Sequence, residues 1–118
     1  SRFNRYYTFD HYQGIELLHI FKLFATKADF VLTEDASDKL LAIFERLYEK
    51  RHKGFGNARV VRNLFEKIIE RQANRIVAIP KLTKEILMNL TEEDIPAIKK
   101  TVEEIILFEE EDTNENEK

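Results

Sequence analysis

Gly54-Phe55-Gly56-Asn57-Ala58-Arg59, followed without a break by Val60-Val61-Arg62-Asn63-Leu64-Phe65-Glu66, decides how this chain is read. The glycines allow a sharp backbone turn, and Asn57 is a good helix N-cap. The residues after it repeat at helical spacing, which places Arg59 in the first turn. A helix N-terminus carries unpaired N–H groups and partial positive charge. An arginine there adds a full charge and a planar, multi-donor head suited to a phosphate. The plain alternative is a glycine turn, a cap and a surface arginine, since short motifs often match by accident.

Working outward, the third helix is expected over about residues 58–77, with Val61, Leu64, Phe65, Ile68, Ile69, Gln72 and Ile76 inward. Upstream, Leu17, Leu18, Phe21, Phe24 and Ala28 predict a first helix over about residues 11–28. Phe30-Val31-Leu32 reads as a short apolar connector. Thr33 then caps a second helix, with Glu34 and Asp35 in the dipole-favoured first turn and Ala36, Leu40, Ile43, Phe44 and Leu47 buried. Basic residues 50–53 crowd its last turn and Gly54 stops it. Downstream of Pro80, Leu82 to Leu90 reads as a short helix or turn. Thr91 and Asp94 suggest a capping box for a last helix carrying Ile95, Ile98, Val102, Ile105 and Ile106, with Pro96 in its first turn. The aromatic-rich residues 1–10 read as extended, and the acidic residues 109–118, without an apolar anchor, as disordered. The fold class is therefore all-α, a four-helix domain between an extended N-terminal segment and an acidic tail.

Composition narrows the function. A chain of 118 residues with 43% hydrophobic and 35% charged residues supports one domain with a real core. The net charge of −3 argues against a dedicated nucleic-acid binder, although Arg59, Arg62, Arg71 and Arg75 share one segment. A helix-turn-helix reading of the third helix is disfavoured by that charge and by the helix's apolar stripe. The absence of cysteine removes disulfides and thiolate metal sites and fits a reducing cytosol. No apolar run approaches the length of a membrane span, so a cytoplasmic location without membrane contact is expected. His11, His19 and His52 are scattered, and no metal site is expected from them. Glu34 and Asp35 read as helix-start residues rather than a catalytic pair.

The run Gly56-Asn57-Ala58-Arg59-Val60-Val61-Arg62-Asn63-Leu64-Phe65-Glu66, continuing to Gln72-Ala73-Asn74-Arg75, resembles the sensor-2 helix of one group of AAA+ ATPases. That group includes stage V sporulation protein K, the CbbX-type red rubisco activases and the EccA ATPases. Ser1-Arg2-Phe3-Asn4-Arg5 resembles the segment that closes the large AAA+ domain. Tyr7-Thr8-Phe9-Asp10-His11-Tyr12 with Glu16-Leu17-Leu18 resembles the passage into the small helical domain. The resemblance covers about residues 1–108 and implies three parts: 1–10, the end of the large domain and hinge; 11–108, the C-terminal lid; 109–118, the tail. The chain begins without methionine and in mid-motif, so an excised piece is expected.

The resemblance implies that Arg59 is a sensor-2 arginine reading the γ-phosphate of ATP held by the large domain of the same chain. Gly56, Asn57 and Ala58 would support it by turn, cap and close approach. It implies for Arg2 a trans-acting arginine finger, with Arg5 the nearby alternative. Arg62 would broaden the basic face or stand as an ordinary surface arginine. ATP and Mg²⁺ are implied for the full-length protein, and none is expected on this piece. No Gly-x-x-x-x-Gly-Lys-Ser/Thr loop occurs, so this piece alone is not expected to hydrolyse ATP. Partners implied are the large domain, neighbouring subunits of a hexameric ring and a remodelled protein. The competing reading is a stand-alone helical adaptor, which leaves the Gly-Asn-Ala-Arg run unexplained.

Overall fold

The computed structural model describes residues 13–50 and 58–116. Along the chain run α1 (Gly14–Lys27), β1 (Val31–Leu32), α2 (Glu34–Glu49), α3 (Ala58–Ile76), α4 (Lys84–Met88), β2 (Asn89–Leu90), a 3₁₀ turn (Glu92–Asp94) and α5 (Ile98–Asn116). The domain is all-α in class. The four long helices match the expected four, and the short helix anticipated before Leu90 is α4.

Each boundary has a local cause. At the start of α1 the Gln13 N–H donates to Glu16 Oε1 at 2.8 Å. Its end is a Schellman motif: Phe30 N–H donates to the Ala25 carbonyl (2.8 Å) and Asp29 N–H to that of Thr26 (3.1 Å). This stops the helix at Lys27, so Ala28, expected inside, is exposed, and Ala25 is buried in its place. Thr33 caps α2 as expected, its Oγ1 accepting from the Ala36 N–H at 3.2 Å. Glu34 and Asp35 occupy the first turn.

Other features also differ from expectation. The connector Phe30–Leu32 contains a strand: Val31 pairs with Asn89 and Leu32 with Leu90, in parallel. Thr33 extends this ladder by donating its N–H to the Leu90 carbonyl at 3.0 Å. The Thr91–Asp94 capping box forms, but it caps the 3₁₀ turn. Helix α5 begins only at Ile98, so Ile95 and Pro96 precede it, both buried. The backbone of α5 then stays helical to Asn116, past residue 108 where the folded part was expected to close. Glutamate is a good helix former, and extending an existing helix is far easier than nucleating one.

The core lies where α1 packs on α2 and α3 and where α2 also packs on α5. Leu17, Phe21, Leu40, Ile43, Phe44, Leu47, Val61 and Ile68 are fully buried there. Phe65 gathers a ring cluster around itself, with Phe21 edge-on at 5.4 Å, Phe24 at 6.0 Å and Phe30 at 6.4 Å between centroids. Where α1 crosses α2, Gly14 sits against backbone: a Cβ there would fall 2.9 Å from both Glu45 Cα and N.

Candidate functional site

The sequence singles out the start of α3. Val60 and Val61 are both buried, and they set the rotation of the helix about its axis. That rotation leaves Ala58 and Arg59 exposed at its first turn. The first turn holds no acidic side chain. A cation at this end opposes the helix dipole. An incoming anion would be favoured by the guanidinium, the dipole and the terminal N–H groups together. The other residues assigned to this device, Gly54, Gly56 and Asn57, lie outside the described residues, as do Arg2 and Arg5.

The four arginines expected to share a segment do not share a surface. The Arg62 guanidinium lies 5.7 Å from the centroid of the Phe24 ring, a cation–π contact that also covers the aromatic cluster. Arg71 and Arg75 lie about 120–160° round the helix from Arg59, at 3.6 residues per turn, and point into the 3₁₀ segment. Arg71 Nε donates to the Asp94 carbonyl at 2.9 Å and its Nη2 to the Glu93 carbonyl at 3.0 Å. Arg75 grips the Asp94 carboxylate with two bonds, Nε to Oδ1 at 2.7 Å and Nη2 to Oδ2 at 3.0 Å.

Asp94 is the buried acid of this arrangement, its side chain wholly enclosed. It also accepts from the Thr91 N–H at 2.9 Å. The hydrogen bond to Asp94 raises the Arg75 pKa above its ordinary value. A raised cation stabilises the fold at every pH below its unfolded pKa, and for arginine no pH a folded protein meets removes it. Gln72, read from the sequence as part of an apolar stripe, is buried because its Nε2 donates to the carbonyls of Leu87 (2.9 Å) and Asn89 (3.2 Å). The seam built by Arg71, Gln72 and Arg75 was not visible from sequence. The capping pattern at Thr91 was the one available signal for Asp94.

A groove of about 230 Å³ opens between α3 and α5, lined by Val60, Leu64 and Ile105 among others, with the Lys67–Glu104 pair at 3.4 Å on its wall. Among the described residues no group of three or more acidic or histidine side chains is placed to hold a metal ion. No helix among them is long and apolar enough to cross a membrane.

Comparison with known proteins agrees with the resemblance drawn from the α3 run. The AAA lid domain family matches residues 13–105. The ribulose bisphosphate carboxylase/oxygenase activase of Cyanidioschyzon merolae, a chloroplastic protein, is 39% identical over 97 residues, covering 80% of this chain and 32% of the relative. The CfxQ homologues of Cyanidium caldarium and Pyropia yezoensis are each 37% identical over 97 residues, covering 80% of this chain and 33% and 32% of those proteins. The chain thus spans about a third of the length of the curated relatives it matches. An amphipathic helix with an exposed cation at its head, an all-helical bundle behind it and a family match over most of that bundle lead to one assignment: the chain belongs to the AAA lid domain family, as found in the activase and CfxQ type of AAA+ protein.

Proposed function

We propose that this lid supplies Arg59 as a sensor-2 arginine, reading the γ-phosphate of ATP held by the large AAA+ domain of the same chain. On this reading the large domain provides the phosphate loop and the Mg²⁺ ligands. The lid adds one cation that stabilises charge on the transferring phosphoryl group. Loss of the γ-phosphate removes the contact and lets the lid turn as a body, which couples hydrolysis to remodelling of a protein partner by a ring of subunits. Arg2 remains the candidate arginine finger toward a neighbouring subunit. The work belongs to a soluble compartment.

One observation carries the reading: an exposed arginine in the first turn of a helix whose rotation is fixed by buried valines and whose first turn holds no carboxylate. That arrangement fits an anionic phosphoryl group. The test is Arg59→Ala in the full-length protein. ATP turnover is expected to fall about 100-fold or more, in line with losing one charged transition-state donor. This chain on its own, lacking the phosphate loop, serves as the inactive control. Wild-type turnover by the variant would refute the assignment of Arg59.

A further inference from the structure

We propose that the outer edge of β1 is a docking site for an extended, acid-bearing segment of a partner protein. The proposal is independent of the reading of Arg59.

The two-stranded ladder has two outer edges, and among the described residues only one is closed. Along a strand the main-chain groups of successive residues point to alternate sides. Asn89 of β2 turns its groups away from β1, and both are engaged. Its N–H donates to the Glu85 carbonyl. Its carbonyl accepts from Gln72 Nε2 at 3.2 Å and from Arg75 Nη2 at 3.4 Å. Leu32 holds the matching position in β1. Its pairing with Leu90, and the bond from the Thr33 N–H to the Leu90 carbonyl, put the β2-facing groups on the residues either side of it. The N–H and carbonyl of Leu32 therefore face outward, and among the described residues no hydrogen bond engages either.

Leu32 is also part of the wall of a groove of about 180 Å³, whose other lining residues are Lys22, Ala25 and Thr26 of α1 with Phe30 and Val31. Val31 is about half exposed. Lys22 is the one charged residue of the lining, exposed and in no ion pair among the described residues. These features specify the occupant. A donor and an acceptor on one strand residue are met by one residue of an extended chain, which exchanges both bonds. A helix cannot meet them, because its own N–H and carbonyl groups are spent internally. The neighbours of the pairing residue fall on the face of Val31, which suits apolar side chains. Lys22 supplies the charge for a carboxylate. The edge admits a single residue pair, too little for a permanent joint between domains and enough for reversible capture of a partner.

The test uses the full-length protein and the probe peptide acetyl-Glu-Val-Ala-Val-Glu-amide. Residue-resolved hydrogen exchange is followed at Leu32, with the paired amide of Thr33 as reference. Without peptide, Leu32 is expected to exchange fast and Thr33 slowly. At about 10 mM peptide, ten times a millimolar dissociation constant, exchange at Leu32 is expected to slow by about tenfold. The same peptide N-methylated at its three central residues cannot donate to the edge and is expected to give no slowing. Lys22→Glu, at an exposed side chain, is expected to weaken binding by about fivefold in low salt, the upper end for one exposed ion pair, and by less in high salt. Protection of Leu32 without peptide would show the edge filled by the protein's own chain and would overturn the proposal. Unchanged exchange at Leu32 with peptide, or equal slowing by the N-methylated probe, would overturn it as well. An unchanged affinity in Lys22→Glu would overturn the assignment of an acid-bearing segment. Arg59→Ala is expected to bind the peptide as wild type does, so the sensor reading stands or falls apart from this site.

Discussion

Asp29 shows how a single residue closes a helix against its own preference. Its φ of 67° puts it in the left-handed region, and among the described residues it is the one non-glycine there. The two carbonyls satisfied by the Schellman turn make the strain worthwhile, and Phe30 is delivered onto Phe65 as a result. Glycine at this position removes the steric penalty but loosens the unfolded chain. The balance favours Asp29→Gly by about 0.5–1 kcal/mol. A thermal melt should show a rise of a few degrees, and an unchanged or lower Tm would contradict the argument. The arginines teach the complementary lesson at this scale. Spacing along α3 placed Arg59 at the helix head correctly, because that depends on local sequence. It did not tell that Arg71 and Arg75 are engaged by carbonyls and a carboxylate some twenty residues on. Those partners are brought in by the chain's return path, which no local pattern encodes.

At the scale of elements, helix identity was readable and the joints were not. Periodicity placed α1, α2 and α3 to within a few residues, and Thr33 was found because capping chemistry is local. The two-residue strands were missed because the cause of each is a partner distant in sequence. The start of α5 was set too early because the capping box at Thr91 serves a 3₁₀ turn rather than a long helix. The crossing of α1 over α2 gives a sharp test. Alanine is the better helix former, worth up to about 1 kcal/mol over glycine. At Gly14, however, its Cβ would meet the Glu45 backbone at 2.9 Å, and backbone yields less than a side-chain tip. Overpacking of this kind costs about 1–3 kcal/mol. Gly14→Ala is therefore expected to lower stability in denaturant titration by about 1–2 kcal/mol, the packing term outweighing propensity. A more stable variant would show that the crossing relaxes freely.

Across the whole molecule, the ring cluster on Phe65 joins α1, the loop after it and α3 into one core. Its ring is only partly buried, so truncation sits at the low end for phenylalanine. Phe65→Ala is expected to cost about 3 kcal/mol and to lower Tm by roughly ten degrees or more. It should also reduce the cooperativity of unfolding; a loss below about 1 kcal/mol would mean that the cluster is peripheral to the core. The parallel pairing of Val31–Leu32 with Asn89–Leu90 joins residues some 58 apart along the chain. Closing so long a loop is entropically unfavourable until the intervening helices have docked. The clasp is thus among the last parts to assemble, and substitutions within it should accelerate unfolding while leaving the refolding rate almost untouched. Such a late latch lengthens the lifetime of the native state and places no burden on the speed of its formation.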